Sequence, residues 1–134
     1  MNIPNTVRIG SVDYAVELSE KPIVLDYKQC NGLIDFSQSK IVLDSKTLEQ
    51  QQLEITFLHE VVHGMLHDRN LEEQDNEQLV EALAYALHQL IRDNQDMFIF
   101  DDDIKDIQKQ AKKVAQELNN YFKNTGGGED GEVR

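Results

Sequence analysis

The chain has 134 residues, 40% of them hydrophobic, which is enough for one compact domain with a single core. Its formal net charge of −12 argues against direct nucleic-acid binding, because phosphate contacts need a basic surface. The sequence contains neither a membrane-spanning apolar stretch nor the basic-then-apolar pattern of a signal peptide. Cys30 is the one cysteine of the sequence, which excludes an internal disulfide and predicts a reducing, cytoplasmic location.

Residues 6–44 show the short apolar runs and turn residues that are typical of β-strands. Two hairpins are predicted, one turning at Gly10-Ser11 and the other at Ser37-Gln38-Ser39. A further apolar run covers residues 23–27, and part of 19–31 is compatible with either a strand or a helix. We therefore predict a small, mostly antiparallel or mixed sheet in the N-terminal part of an α+β fold.

The remainder of the chain has helical periodicity. The first helix is expected to begin near residues 45–47, where Thr47 and Gln50 have the spacing of a capping box. Apolar residues lie on two of its sides, so we expect this helix to be buried. A second helix is predicted to begin near residues 75–78 and to end near Asp93.

A third helix is predicted after the acidic residues 101–103. Its apolar residues recur at spacings of three and four, which favours packing on the core and leaves a two-helix contact with another subunit as the alternative. The acidic, glycine-rich segment 124–134 has too few apolar residues to order itself and is predicted to be a disordered tail. Residues 1–123 are then predicted to form one domain.

The strongest functional signal is the motif His59-Glu60-Val61-Val62-His63. Histidines four residues apart lie one turn apart on the same face of a helix, which suits two ligands of one Zn²⁺. Glu60 is rotated about 100° from His59, so its carboxylate is expected to reach a water beside the metal and not the metal itself. We therefore predict His59 and His63 as metal ligands and Glu60 as the catalytic acid/base.

A catalytic zinc site needs a third protein ligand. His67 follows on the same helix, but it lies roughly 12 Å from the first histidine of the motif, too far for all three to converge. If the first two helices form a hairpin, Glu81 stands level with His63 and is the preferred third ligand, with Glu77 as the alternative. Glu81 also lies in the apolar segment 79–84, where an unpaired carboxylate would be costly.

Two motifs of the chain resemble those of a known family, the ImmA/IrrE-type metallopeptidases. The matching residues are His59-Glu60-Val61-Val62-His63, the further His67, and Glu81-Ala82-Leu83-Ala84-Tyr85-Ala86, where the family usually reads Glu-Ala-Asn-x-Phe-Ala. The resemblance covers about residues 40–92 and implies a zincin-type layout with an active-site helix, a ligand helix and a C-terminal helix. It further implies a gluzincin, similar in length to the minigluzincins, in which the two motif histidines and Glu81 bind zinc and Glu60 is catalytic.

Two more side chains of the second helix are candidates for the site. Tyr85 and His88 follow Glu81 by four and seven residues and therefore lie on its face. Either could donate a hydrogen bond to an oxyanion during the reaction, although a packed core position is the more ordinary role for Tyr85. His67 is expected to be structural or to lie at the rim of the site.

The resemblance implies a zinc-dependent endopeptidase whose protein or peptide substrate lies extended along the strand at residues 32–36. Members of the family occur in phages and mobile elements, and some act on transcriptional repressors, so a regulatory protein is the implied substrate class. The alternative is a non-catalytic, acidic, zinc-containing regulator or anti-repressor that acts by binding. Neither nucleic acid nor a membrane is a predicted partner, and the sequence leaves the oligomeric state open.

Overall fold

The computed structural model describes residues 1–126 and has the predicted α+β fold, with a small N-terminal sheet followed by helices. The chain divides into two compact units, the first covering Met1–Asn94 and the second beginning at Gln95, so the predicted domain of residues 1–123 spans both. Of the predicted tail, Asn124 and Thr125 are helical and residues 127–134 lie outside the described part. No helix among the described residues is long and apolar enough to cross a membrane.

The described residues contain β1 (Thr6–Ile9), β2 (Val12–Ser19), β3 (Ile23–Leu25), β4 (Lys28–Cys30), β5 (Gly32–Asp35) and β6 (Lys40–Asp44). The main sheet has the order β1-β2-β6-β5. Both predicted hairpins, β1–β2 and β5–β6, are confirmed as antiparallel pairs. Because β2 and β6 pair in parallel, the sheet is mixed and β5 forms one of its edges.

β3 and β4 form a separate two-stranded hairpin. Its turn residues, Asp26 and Tyr27, both have positive φ, at 48° and 63°. A two-residue turn with positive φ at both positions matches the right-handed twist of the strands that it joins. The segment 19–31, which the sequence left open, therefore ends in a hairpin and not in a helix.

Three α-helices follow: α1 (Gln50–Asp68), α2 (Glu77–Asp93) and α3 (Asp101–Thr125). The predicted capping box at the start of α1 is wrong, because the N-cap is Glu49 and no side chain caps the helix there. Thr47 instead donates its hydroxyl to the carboxylate of Asp44, which also accepts the backbone N–H groups of Lys46 and Thr47. This turn at the end of β6 holds Thr47 outside the helix, so α1 begins later than predicted.

The core of the first unit lies between the sheet, α1 and α2. Its fully buried side chains include Ile41, Leu43, Val80 and Ala84. As predicted, α1 is buried along most of its length. At Gly64 a Cβ atom would lie 2.6 Å from Cδ1 of Ile9 and 3.1 Å from Cδ1 of Ile34, so the glycine lets α1 approach the sheet closely.

A buried polar cluster also joins α1 to α2. The carboxylate of Glu54 lies 2.8 Å from Nε2 of His88 and accepts hydrogen bonds from the Gln50 side chain and the Met1 amine. Burial raises the pKa of Glu54, but the hydrogen bonds from these three groups outweigh it and lower the pKa to about 2. Glu54 is therefore a buried, ionised carboxylate with its partners in place.

Candidate metal centre

The two motif histidines converge at the middle of α1. His59 and His63 are one turn apart, and their Nε2 atoms lie 3.2 Å from each other. The two ring planes are 66° apart, so the rings are not stacked. Both Nε2 atoms therefore point at the same small volume. The arrangement follows from the four-residue spacing on an α-helix.

Glu77, the first residue of α2, completes a group of three donors. One of its carboxylate oxygens lies 3.1 Å from Nε2 of His59 and the other lies 3.0 Å from Nε2 of His63. The start of α2 is fixed by Asn76, whose side-chain oxygen accepts a hydrogen bond from the backbone N–H of Leu79 at 3.1 Å. This cap holds Glu77 in the first turn of the helix, facing α1.

The three donors have the chemistry and spacing of a metal site. The 3.2 Å between the two Nε2 atoms is close to the edge of roughly 3.3 Å in a tetrahedron whose ligands lie about 2.0–2.1 Å from zinc. The two carboxylate oxygens of Glu77 each lie at a similar distance, 3.0 and 3.1 Å, from one of the histidines, and with one atom from each residue the three donors lie within 4.8 Å of one another. Two imidazoles and one carboxylate also match the donor set of catalytic zinc sites, in which the fourth position is open. The His59–His63–Glu77 group could therefore hold a metal ion.

The ring of His63 is oriented by a backbone group. Its Nδ1 lies 2.9 Å from the carbonyl oxygen of Gln74, so Nδ1–H donates and the lone pair of Nε2 faces the cluster. A hydrogen bond of this kind commonly fixes the tautomer of a metal-binding histidine. The segment between the two helices therefore supplies a positioning contact in addition to bringing Glu77 into place.

The charge state of His59 also suits a metal ligand. Burial lowers the pKa of His59, and the neighbouring His63 lowers it further, while the carboxylate of Glu77 opposes the shift. A histidine with a lowered pKa is neutral over a wider pH range, and the neutral imidazole is the form that coordinates metals.

His67 does not belong to this cluster. Its ring stacks on Phe36 at a centroid distance of 3.8 Å, and its Nδ1 lies 3.0 Å from the side-chain oxygen of Gln74. These contacts hold the ring between Phe36, which directly follows β5, and the segment after α1. His67 therefore has the structural role that was expected for it.

Glu81 lies in the same cavity as the cluster but is not one of its three members. Its side chain is exposed, so the argument that a buried carboxylate at this position needs a metal is wrong. The reason lies in the connection between the helices, where the 3₁₀ turn Glu72–Asp75 packs beside α1 and carries the chain back along it. The first turn of α2, with Glu77, is therefore the one that faces the histidines.

Glu60 lies beside the cluster without joining it. Its side chain is buried, and this burial together with the negative charge of Glu77 raises its pKa to about 7, against a hydrogen bond from the backbone of Ile34. It also lies close to Gly32 of the same strand, β5, because a Cβ atom at Gly32 would lie 3.0 Å from its Oε1. Its carboxylate is thus confined between α1 and the edge strand.

These groups line a cavity of about 510 Å³. Its walls come from α1, the edge strand β5, the first turns of α2 and the β3–β4 hairpin, and they include Leu25, Cys30, Leu33 and Phe36. Tyr85 also lines the cavity, whereas His88 is buried in contact with Glu54, so of these two residues only Tyr85 faces the cavity. A cavity of this size accommodates a short stretch of peptide.

Comparisons with known proteins add no relative: no protein-family model matches the chain, and no curated protein or solved structure shows significant similarity. The geometry of the cluster and its cavity is accordingly the basis for the function proposed next.

Proposed function

We propose that the chain is a zinc-dependent endopeptidase of the gluzincin type, with His59, His63 and Glu77 as zinc ligands and Glu60 as the acid/base. One observation carries the proposal: three converging donor atoms lie beside a buried carboxylate in the wall of an open cavity. Residues that merely stabilise a helix do not need this convergence. The resemblance of the first motif to the ImmA/IrrE-type metallopeptidases supports the same class of enzyme, whereas the second motif implies Glu81 and not Glu77 as the third ligand.

Each group has a chemical task in this proposal. A zinc ion held by the three donors would polarise the scissile carbonyl and lower the pKa of a water. Glu60 accepts a proton from the attacking water and delivers it to the leaving amine, which one confined carboxylate can do in turn. Tyr85 is the side chain available to donate a hydrogen bond to the developing oxyanion.

The substrate in this proposal is an extended peptide. β5 is an edge strand that lines the cavity, so an extended peptide lying along the cavity can pair with its outer backbone groups, apart from the Ile34 N–H that Glu60 accepts. The family resemblance supports a regulatory, repressor-like protein as the substrate. The presence of a single cysteine supports a cytoplasmic location.

Metal analysis combined with a peptide-library assay tests the proposal. Zinc-reconstituted protein is expected to hold one zinc per chain and to cleave members of a mixed peptide library, detected by mass spectrometry. Glu60→Gln keeps the shape but removes the base, so it should retain zinc and lose at least about 100-fold in rate. Glu49→Gln, the same change at an exposed position outside the cavity, should leave both unchanged.

The outcomes separate the two functions that the sequence allowed. Equal hydrolysis by wild type and Glu60→Gln would show that Glu60 is not the acid/base. Stoichiometric zinc with no hydrolysis of any peptide or protein would contradict the peptidase and favour the acidic regulator that acts by binding.

A further inference from the structure

A continuous apolar seam runs along α3, and the proposed peptidase does not use it. Its members are Ile104, Ile107, Ala111, Val114, Leu118 and Tyr121. Spacings of three and four residues suit either a core-facing helix or a pair of helices. Most residues that flank this seam are polar, which makes the apolar stripe narrow and favours the a/d pattern of paired helices. The five large members are between 41% and 63% exposed. Within the described part of the second unit, residues 95–126, no other α-helix covers them.

We propose that this seam pairs α3 with α3 of a second copy of the chain, in antiparallel orientation. In such a pair the a positions of one helix meet the d positions of the other. The spacing of the seam is symmetric about its centre, so one register aligns all of its members. The pair then contains six layers of facing side chains, made of three kinds that each occur twice by symmetry. The kinds are Ile104 against Tyr121, Ile107 against Leu118, and Ala111 against Val114.

The charges at the two ends of α3 favour the antiparallel orientation. Asp101–Asp103 form the first turn, and Lys123 lies in the last turn. In the antiparallel register the acidic first turn of one copy lies beside the last turn of the other, where Phe122 and Asn124 flank the seam, and the two helix dipoles oppose each other. A parallel pair would instead bring the acidic turns of both copies together and set Ala111 against Ala111, which leaves a gap in the seam.

The positions that flank the seam also fit a second copy of the same helix. They are Asp101, Asp103, Gln108, Gln110, Ala115, Glu117, Phe122 and Asn124. Three of them are charged, Asp101, Asp103 and Glu117. In the antiparallel register these three face Phe122, Asn124 and Gln110 of the other copy, so no like charges meet. The five lysines of α3 all occupy positions away from the seam. Two identical helices can therefore approach each other without repulsion at the contact.

Sedimentation equilibrium of the full chain over a concentration series tests the pairing. The wild type is expected to show a monomer–dimer equilibrium. Leu118→Asp places a charge in two layers of the symmetric pair and should raise the dissociation constant at least about 100-fold. Gln116→Asp, the same new charge on the outward face, should leave it within a few fold. A wild type that is monomeric up to its solubility limit overturns the proposal, as does a Leu118→Asp protein that dimerises like the wild type.

Cysteine cross-linking tests the antiparallel orientation of the two α3 helices, and its outcome does not depend on the Leu118→Asp variant. In a Cys30→Ser background, Ile107→Cys and Leu118→Cys proteins should form a disulfide-linked dimer only when they are mixed. In the antiparallel pair the two copies of position 107 are about 16 Å apart along the axis, beyond the reach of a disulfide. Dimers linked through either protein alone would show a parallel pair and overturn the proposed orientation. Neither readout involves the metal cluster, so failure here leaves the peptidase proposal intact.

Discussion

Replacing Glu77 with glutamine is the sharpest perturbation of the metal cluster. The carboxylate oxygens lie 3.0 and 3.1 Å from the Nε2 atoms of His63 and His59, so the side chain is already positioned as a third donor. Glutamine keeps the length of the side chain, but its neutral amide oxygen is a much weaker ligand for a divalent cation. The substitution therefore removes the one anionic donor of the group without removing its atoms.

The expected loss of affinity can be bounded from the role of Glu77. Changing a residue that only orients a ligand typically costs 10-fold to 100-fold in metal affinity, and Glu77 would be a ligand itself. We therefore expect the zinc dissociation constant of Glu77→Gln to rise at least about 100-fold, which is about 2.7 kcal/mol. The three donors, one from each residue, already lie within 4.8 Å of one another, so no large movement is needed to bind a metal and none is expected to offset the loss.

Competition with a chromophoric chelator measures this change directly. Glu81→Gln is the matched control, because it makes the same substitution one turn further along α2 in the same cavity. Glu81→Gln should alter zinc affinity by less than about 10-fold. If Glu81→Gln loses the metal while Glu77→Gln keeps it, the reasoning from the donor distances is refuted and the ligand inferred from the family resemblance is the right one.

Three further predictions concern the supports of the site and the core. Gly32→Ala adds a methyl group 2.7 Å from Cγ2 of Thr56 and 3.0 Å from Oε1 of Glu60, so it should destabilise the fold by about 1–3 kcal/mol in chemical denaturation and lower any Glu60-dependent hydrolysis. Glu54 has its pKa lowered from 4.5 to about 2, so its stabilising contribution is complete above about pH 4.5 and lost as the pH falls towards 2. Glu54→Gln should therefore flatten the loss of stability over that pH range in urea titrations. Asn76→Ala removes the cap of α2 and should cost about 1 kcal/mol in thermal unfolding, whereas Asn76→Asp should retain most of it.

The sequence was informative where the interactions are local. The two hairpins follow from short apolar runs around turn residues, and the convergence of His59 and His63 follows from the pitch of one helix. The start of α1 was missed, although the capping-box spacing was present, because Asp44 at the end of β6 binds Thr47 first. A local pattern is unreliable where a residue just outside the window competes for the same groups.

The third donor could not be chosen from the sequence for a geometric reason. Glu77 and Glu81 are separated by about one turn of helix, or roughly 5.4 Å, and the path of the connecting segment decides which of them faces α1. That path depends on a 3₁₀ turn that carries no strong sequence signal. The contact of Gly32 with Glu60 was missed for a similar reason, since it joins residues from different elements, and the glycine at the start of a strand was its one available signal.

The parallel pairing of β2 with β6 has a consequence for the order of folding. Ala15 pairs with Lys40 and Ser19 with Asp44, so this ladder joins residues about 25 positions apart, whereas β5, β6, α1 and α2 contact their neighbours in the chain. Contacts between chain neighbours close smaller loops and form at a lower entropic cost. The transition state should therefore contain the β5–β6 hairpin packed on α1, with β1 and β2 joining afterwards. Substitutions in β1 should then speed unfolding and leave the refolding rate nearly unchanged. The cavity walls contributed by β5 and α1 would thus be assembled before the sheet is complete.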